Sequence, residues 1–240
     1  MALSFSTSAR MPSIPRGFDV AAARRHLSRH DRALGAWMRR IGPLEHDFER
    51  RFDPVDALAR AILYQQLSGH VAGAIVARVE VRMPRAGRLD ADGIAALADD
   101  DLRACGVSRN KIAAMKDLAA KARDGVVPTA RRLAFLDDEA IVDALTQVRG
   151  IGRWTVQMLL MSRLGRPDVL PVHDLGIRKG AQILRGLDTM PTPDETLALG
   201  DAWAPYRSLA SFYLWRIVSA VQAVQAAQAK PAKAVKRSQE

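Results

Sequence analysis

Apolar residues recur at helical spacing along almost the whole chain, and no run of residues shows the alternation expected of a strand. Several segments also start with helix-initiating residues. Asp53-Pro54 places a carboxylate before a proline, Asp137 precedes an apolar run, and Thr192-Pro193-Asp194-Glu195 is a capping box. A long apolar helix is predicted over 207–224. The signals predict an all-α chain of roughly nine to eleven helices.

The charge balance narrows the kind of partner. The 240 residues include 36 Lys and Arg against 26 Asp and Glu, a formal net charge of +10. This balance favours a polyanionic partner such as nucleic acid, and a basic protein without a special partner is the alternative. The single cysteine, Cys105, excludes a disulfide framework and a four-cysteine metal cluster.

The two ends of the chain are predicted to be disordered, over 1–16 and over the basic tail 226–240. The first sixteen residues lack the apolar region of a secretory signal, and no apolar run is long enough to cross a bilayer. We therefore expect an intracellular protein, in the cytoplasm or nucleoid or in a nucleus, that is not secreted and contacts no membrane.

The most informative segment is 145–178, LTQVRGIGRWTVQMLLMSRLGRPDVLPVHDLGIR. It reads as a helix that breaks at Gly150-Ile151-Gly152 and resumes until Gly165. The two glycines allow a tight turn and a close approach of ligand to backbone. The N–H groups of Gly150, Gly152 and the following turn, which includes Arg153 and Thr155, then form an anion site suited to a DNA phosphate. An ordinary corner between two helices is the alternative interpretation.

The full string, L-x-x-V-x-G-I-G-x-W-T-V followed by P-V-H-D-L-G-I-R, resembles the helix-hairpin-helix (HhH-GPD) superfamily of DNA glycosylases. Within it, the chain looks like the 3-methyladenine-DNA glycosylase II group. The resemblance covers roughly residues 17–220. Three further segments support it: RAILYQQLSGHVAGAI at 60–75, CGVSRNKIAAMKDLA at 105–119 and DAWAPYRSLASFYLW at 201–215.

The resemblance implies an all-α, two-lobed fold with the active site in the interlobe cleft. One lobe is expected to combine 17–64 with 176–225, and the other to contain 65–175 with the hairpin at 145–164. Bacterial members of the group often carry an N-terminal β-domain. The chain ahead of Pro54 is too short for a full copy, so no β-domain is expected.

The resemblance also implies that Asp174 is the catalytic carboxylate. Its position where the next helix begins equally suits a simple N-cap, and the two roles are compatible because a helix N-terminus favours negative charge. Such a carboxylate can stabilise an oxocarbenium-like transition state and orient or deprotonate the attacking water. In members with lyase activity a lysine follows the position of Arg153. Trp154 stands there in this chain, so a monofunctional enzyme without AP-lyase activity is predicted.

An enzyme that acts on a base flips it into a pocket, and an alkylated purine cation is attracted to aromatic faces. The candidate pocket residues are Tyr64, Trp154, Met158, Trp203 and Tyr206, with core packing as the alternative. Met158 stands where the bacterial relative has a tyrosine, which leaves the base preference open. The resemblance implies that Gln66, Leu67 and Ser68 form a wedge that fills the gap left in the DNA by the flipped base. The alternative is that these residues are an ordinary polar helix end.

The predicted function is hydrolysis of the N-glycosidic bond of alkylated purines, of the 3-methyladenine and 7-methylguanine type, in damaged double-stranded DNA by a monomer that initiates base excision repair. The alternatives are a glycosylase for deaminated or oxidised bases and a non-catalytic DNA-binding protein that keeps the hairpin. No cofactor is expected to be required. The resemblance implies a monovalent cation, sodium or potassium, on the main-chain carbonyls of Thr146, Val148 and Ile151.

Overall fold

The computed structural model describes residues 17–45, 48, 51–85 and 87–229. Over these residues the chain is all-α, as predicted, and contains no strand. The helices are α1 (Val20–His30), α2 (Arg32–Ile41), α3 (Pro54–Tyr64), α4 (Gly69–Arg82), α5 (Ala91–Ala96), α6 (Asp99–Ala104), α7 (Arg109–Arg123), α8 (Ala130–Leu133), α9 (Asp138–Leu145), α10 (Arg153–Ser162), α11 (Leu175–Arg185), α12 (Pro193–Leu199), a 3₁₀ helix (Gly200–Trp203) and α13 (Arg207–Ala229).

The described residues form more helices than were predicted. Helices α5, α6 and α8 were missed because they have only four to six residues each, too few to show a helical period. At the C-terminus, residues 226–229 continue α13, so the disordered tail was predicted to begin too early. The predicted disorder over 1–16 and over 230–240 lies outside the described residues. No helix in the described part of the chain is long and apolar enough to cross a membrane.

The predicted helix starts are confirmed by their hydrogen bonds. Asp53 Oδ1 accepts the N–H of Val55 at 2.9 Å, and Asp137 accepts that of Ala140 at 2.7 Å. At the start of α12, the Thr192 hydroxyl accepts the Glu195 N–H at 3.2 Å while the Glu195 carboxylate accepts the Thr192 N–H at 2.7 Å. Local sequence therefore determined where these three helices begin.

The chain divides into two compact units. Unit 1 contains Gly17 and the described residues of 48–166, and unit 2 contains 18–45 and 167–229. The boundary prediction was wrong for α3, which belongs with the middle of the chain in unit 1, and for 167–175, which belong to unit 2. Helix α3 lies in unit 1 because its apolar face packs against α4 and α7, a pairing that helical periodicity does not reveal.

Unit 1 consists of α3–α10 around a core of aliphatic side chains. Helix α7 contributes Met115 and Leu118 to it, both fully buried. The hairpin helices contribute further buried side chains: Ile141, Leu145, Val156 and Leu160. The turn between α9 and α10 is therefore anchored by two helices with buried faces.

Unit 2 consists of α1, α2, α11, α12, the 3₁₀ helix and α13. Trp203 and Tyr213 are its largest fully buried side chains. The indole N–H of Trp203 donates to Oδ2 of Asp31 at 2.8 Å, and Arg185 donates to the same oxygen at 2.7 Å. Asp31 is only 3% exposed and also caps α2. This network ties α2, α11 and the 3₁₀ helix together inside the unit.

Candidate active site

The hairpin turn joins α9 to α10 in unit 1. Gly150 has a φ of +79°, a left-handed conformation that favours glycine. Gly152 is the N-cap of α10 with ordinary extended backbone, and a Cβ added there would meet no described atom within 4 Å. Neither backbone strain nor packing inside the protein explains a glycine at 152. It leaves the backbone at the start of α10 open to close approach by another molecule.

Two side chains from other parts of unit 1 hold this turn. The N–H of Arg149 donates to Oδ2 of Asp117 on α7 at 2.7 Å. The side-chain amide of Gln65 donates to the Gly150 carbonyl at 2.8 Å. Burial by itself would raise the pKa of Asp117. The hydrogen bond from Arg149 and the Lys121 ammonium outweigh it, so that the pKa lies below its ordinary value.

The two residues predicted to follow the glycines in the anion site, Arg153 and Thr155, differ in their surroundings. Arg153 is exposed and forms a two-point ion pair with Glu139 at 2.6 and 2.8 Å, which lowers the pKa of Glu139. Thr155 is buried. Its side chain is therefore turned away from solvent, whereas the predicted contact from this turn is made by main-chain N–H groups. The first hydrogen bond of α10 is Val156 N–H to Gly152 O, so the preceding N–H groups are not used within the helix.

A cavity of about 750 Å³ lies between α3 and α10 in unit 1. Three of the predicted pocket residues, Tyr64, Trp154 and Met158, line it together. Tyr64 is 44% exposed and Trp154 49%, which is unusual for rings of this size and shows that they are not buried in the core. Thr155 and Leu159 complete the α10 side of the wall.

Two arginines, Arg60 and Arg163, line the wall of the cavity. Arg60 is paired with Asp56 at 2.9 Å and with Glu80 at 2.5 Å. The hydrogen bond that Arg60 donates to Asp56 is the main cause that raises the pKa of Arg60. The charge of Arg60 is therefore balanced by two carboxylates.

The predicted wedge residues form an exposed turn between α3 and α4. Gln66 has a φ of +56°, and no other residue in the described chain except glycine has a positive φ. Gln66 lines the cavity mouth, and Leu67 is exposed. The Ser68 hydroxyl instead caps α4 by accepting the Val71 N–H at 3.4 Å. Of the three candidates, Gln66 and Leu67 present their side chains at the surface without a capping role.

Asp174 in unit 2 is the N-cap of α11 and is partly exposed. Its Oδ1 accepts the Ile177 N–H at 2.8 Å and the indole N–H of Trp215 at 3.0 Å. The N-cap alternative considered from sequence is therefore correct as a structural role. It does not exclude chemistry, because the residue is partly exposed.

Glycines on α11 bring Trp215 to Asp174. A Cβ at Gly180 would lie 2.6 Å from the Leu214 carbonyl oxygen, and one at Gly176 would lie 2.8 Å from the Trp215 ring. Larger residues would push α13 away from α11. Trp215 was not among the predicted pocket residues, and its bond to Asp174 is a contact that sequence reasoning missed.

Two other predicted pocket residues are placed elsewhere. Trp203 is 0% exposed in the core of unit 2, so its assignment to a base pocket was wrong. The ring of Tyr206 contacts Phe18 at 6.0 Å and His26 at 5.3 Å between centroids, against the same core. An isolated aromatic residue in a sequence does not reveal which side of its helix is covered.

Residues 59–205 match the family model described as HhH-GPD superfamily base excision DNA repair protein. The chain belongs to the HhH-GPD superfamily. It is similar to DNA-3-methyladenine glycosylase 1 of Schizosaccharomyces pombe, with 37% identity over 164 residues, 68% of this chain and 72% of that protein.

Solved HhH-GPD structures agree with the fold. The structure of S. pombe 3-methyladenine DNA glycosylase in complex with abasic DNA superposes with a TM-score of 0.74 at 34% identity, covering 81% of this chain and 95% of that one. A DNA-3-methyladenine glycosidase structure from Bacillus halodurans superposes with a TM-score of 0.75 at 29% identity, covering 84% and 91% of the two chains.

The site of this HhH-GPD protein also contains residues absent from the sequence-based candidates. Gln65 bonds to the hairpin, and Lys111 donates from Nζ to the carbonyls of Leu63 and Gln65 at 2.7 and 2.8 Å. Burial lowers the pKa of Lys111. Both residues lie inside segments that carried the family resemblance, but only the tertiary contacts show what their side chains bind.

Proposed function

We propose that this protein is a DNA glycosylase that hydrolyses the N-glycosidic bond of alkylated purines in double-stranded DNA. The observation that carries the proposal is the cavity of unit 1, where Tyr64 and Trp154 stand exposed beside the hairpin turn. The cavity volume, about 750 Å³, is in the range of small-molecule sites and accommodates a flipped purine. The names of its relatives support the same substrate class.

The aromatic rings select for the charge of the lesion. An N3- or N7-alkylated purine is a cation, and a ring face attracts a cation by roughly 0.5–2 kcal/mol depending on desolvation. The same charge makes the base a good leaving group, so no general acid is needed at the base. Binding the damaged base and favouring its departure are therefore consequences of one property of the substrate.

The carboxylate of Asp174 supplies the complementary part of the chemistry. Cleavage of the N-glycosidic bond passes through an oxocarbenium-like transition state, and a fixed negative charge stabilises it. The bonds from Ile177 N–H and Trp215 Nε1 hold Oδ1 in place. The carboxylate also orients or deprotonates the water that attacks the sugar.

We further propose that the enzyme is monofunctional and leaves an abasic site without cutting the strand. A lyase needs an amine nucleophile that forms a Schiff base with the sugar. Trp154 occupies the position where lyase members carry that lysine. The residues that line the described cavity include no lysine, which supports the proposal.

The hairpin is proposed to bind the DNA backbone without reading its sequence. The open backbone at Gly152 and the unused N–H groups at the start of α10 suit a phosphate. The carbonyls of Thr146, Val148 and Ile151 would hold sodium or potassium there, whose charge would favour the phosphate. Main-chain carbonyls are suitable ligands for alkali cations, and Val148 O, which accepts the Ile151 N–H at 3.0 Å, keeps a second lone pair.

The remaining proposals concern the oligomeric state and the cellular compartment. We propose that the protein acts as a monomer on damaged duplex DNA, so that one chain carries both the cavity and Asp174. Its substrate places it with the genome, in the cytoplasm and nucleoid or in a nucleus.

The decisive experiment is a panel of duplexes that each contain one lesion. The panel compares 3-methyladenine, 7-methylguanine, hypoxanthine, uracil and 8-oxoguanine, and released base is measured by chromatography. Release of the two methylated purines is expected. Release of only hypoxanthine, uracil or 8-oxoguanine would replace the alkylpurine proposal with the alternative substrate classes. DNA binding without release of any base would leave a non-catalytic binding protein.

A further inference from the structure

Helix α7 (Arg109–Arg123) contacts both of the turns that face the proposed DNA substrate. Near its start, Lys111 Nζ donates to the carbonyl oxygens of Leu63 and Gln65 at 2.7 and 2.8 Å. Leu63 lies in the last turn of α3 and Gln65 is its C-cap, where intrahelical donors run out. The ammonium of Lys111 therefore caps α3 immediately before the exposed turn at Gln66.

That turn is held in a costly conformation. Gln66 has a φ of +56°, a left-handed conformation that is unfavourable for residues other than glycine. Such a conformation persists only where its surroundings enforce it. Lys111 binds the carbonyl oxygens of Leu63 and Gln65, so it restrains the chain directly before Gln66.

The same helix holds the hairpin turn. Asp117 accepts the Arg149 N–H at 2.7 Å, and the Ala114 methyl lies 3.4 Å from the position of a Cβ on Gly150. Gln65 then links the two turns through its 2.8 Å bond to the Gly150 carbonyl. One helix and one glutamine thus set the distance between the Gln66 turn and the hairpin.

We propose that Lys111 is a positioning residue for base excision, which acts by holding the Gln66 turn in register with the hairpin. The inference rests on the proposed function, since it assigns Lys111 a role in that reaction. Lys111 is not itself a catalytic residue, because its ammonium is committed to two main-chain carbonyls. Its partial burial and the resulting lowered pKa agree with a fixed position.

Lys116 provides a matched control on the same helix. Its ammonium also caps a helix end, by donating to the carbonyls of Ile94, Ala95 and Leu97 at the C-terminal end of α5, and it lies 3.9 Å from Asp99. This cap is made by the same chemistry but touches neither the Gln66 turn nor the hairpin. Replacing either lysine with methionine removes one interhelical cap while the apolar stem remains.

The test compares wild type, Lys111→Met and Lys116→Met. Melting temperature, single-turnover excision of 7-methylguanine at saturating enzyme, and hydrogen exchange of the amides at 66–69 in the free protein are measured. We expect the saturated rate of Lys111→Met to fall on the order of ten- to a hundredfold, because a small displacement of the Gln66 turn would misalign the substrate. Its amides at 66–69 exchange faster. Lys116→Met keeps a saturated rate and an exchange pattern at 66–69 within twofold of wild type.

Three results would overturn the proposal: a wild-type saturated rate in Lys111→Met, unchanged exchange at 66–69 in that variant, or an equal loss of rate in Lys116→Met. The last would show that general stability, and not the position of the turn, limits excision. If wild-type protein releases no base, the proposed function fails. The exchange comparison still decides whether Lys111 holds the turn.

Discussion

The indole N–H of Trp215 donates a 3.0 Å hydrogen bond to Oδ1 of Asp174, the same oxygen that caps α11 by accepting the Ile177 N–H. The bond is possible because Gly176 has no side chain, since a Cβ there would lie 2.8 Å from the Trp215 ring. Two donors from different helices therefore fix the orientation of one partly exposed carboxylate. A carboxylate held in this way needs little reorganisation when positive charge develops beside it.

Unit 2 contains a second tryptophan–aspartate pair of the same kind, which has a different role. Trp203 donates to Asp31 at 2.8 Å, and Asp31 likewise caps a helix. Asp31 is 3% exposed and is paired with Arg185, so its charge is balanced and inaccessible. The two pairs differ in that Asp31 is buried and ion-paired, whereas Asp174, the proposed catalytic carboxylate, is partly exposed.

The bond from Trp215 predicts an effect on catalysis that the buried pair lacks. We expect Trp215→Phe to keep most of the ring contacts and to lower single-turnover excision by roughly tenfold, because a hydrogen bond to a charged group contributes about 1.5–3 kcal/mol, of which part orients the carboxylate. Trp203→Phe is the control, with a lower melting temperature and an excision rate near wild type. Equal excision rates in the two variants would remove Trp215 from the mechanism.

Asp174→Asn tests the carboxylate itself. Asparagine keeps the size and much of the capping ability but loses the charge. The expected loss is about 2.7–4 kcal/mol of transition-state stabilisation, on the order of a hundred- to thousandfold in the single-turnover rate, with lesion binding retained. Melting temperature and rate are measured on one preparation. A role in capping alone predicts at most about 1 kcal/mol of lost stability and near-normal excision.

Gly152→Ala tests the open backbone at the start of α10. An added methyl meets no described protein atom within 4 Å, so the free protein should lose no more than about 1 kcal/mol of stability through the weaker N-cap. Binding to undamaged duplex should fall severalfold because the methyl occupies the space of a phosphate. Fluorescence anisotropy at fixed salt measures it. Unchanged affinity would show that DNA does not approach the backbone at Gly152.

The absence of a lysine at position 154 predicts the form of the product. Borohydride should trap no covalent adduct between enzyme and lesion DNA, and strand breaks should appear only after alkali. A denaturing gel run with and without alkali distinguishes the two steps. A trapped adduct would mean that an amine elsewhere in the chain attacks the sugar, and would disprove monofunctional chemistry.

Asp117 predicts a pH dependence of stability. Its pKa in the folded protein lies below the ordinary value, because the Arg149 N–H and Lys121 outweigh the effect of burial. The stabilisation is therefore complete above the unfolded pKa, about 3.9, and is lost as the pH falls through the lower folded value. Urea midpoints between pH 6 and roughly pH 2 measure it. Asp117→Asn should show a shallower decline below about pH 4 than wild type, and parallel curves would contradict the assignment.

The sequence alone determined the local features of this protein. Helical periodicity predicted the all-α fold, and Asp53, Asp137 and Thr192 predicted three helix starts that the hydrogen bonds confirm. These features are short-range, because a cap and its helix lie within four residues of one another. The hairpin and the family could also be recognised from the sequence, because the motif is one contiguous segment.

Only the tertiary structure decided which side chains meet across long separations. Trp203 and Trp215 look alike in sequence, but one is buried against Asp31 and the other bonds to Asp174. Lys111 and Gln65 acquire their roles through partners 46 and 85 residues away. Periodicity shows that a helix has an apolar face, but it does not name the helix that covers that face. Which aromatic remains exposed, and which lysine caps which helix, therefore follows from packing alone.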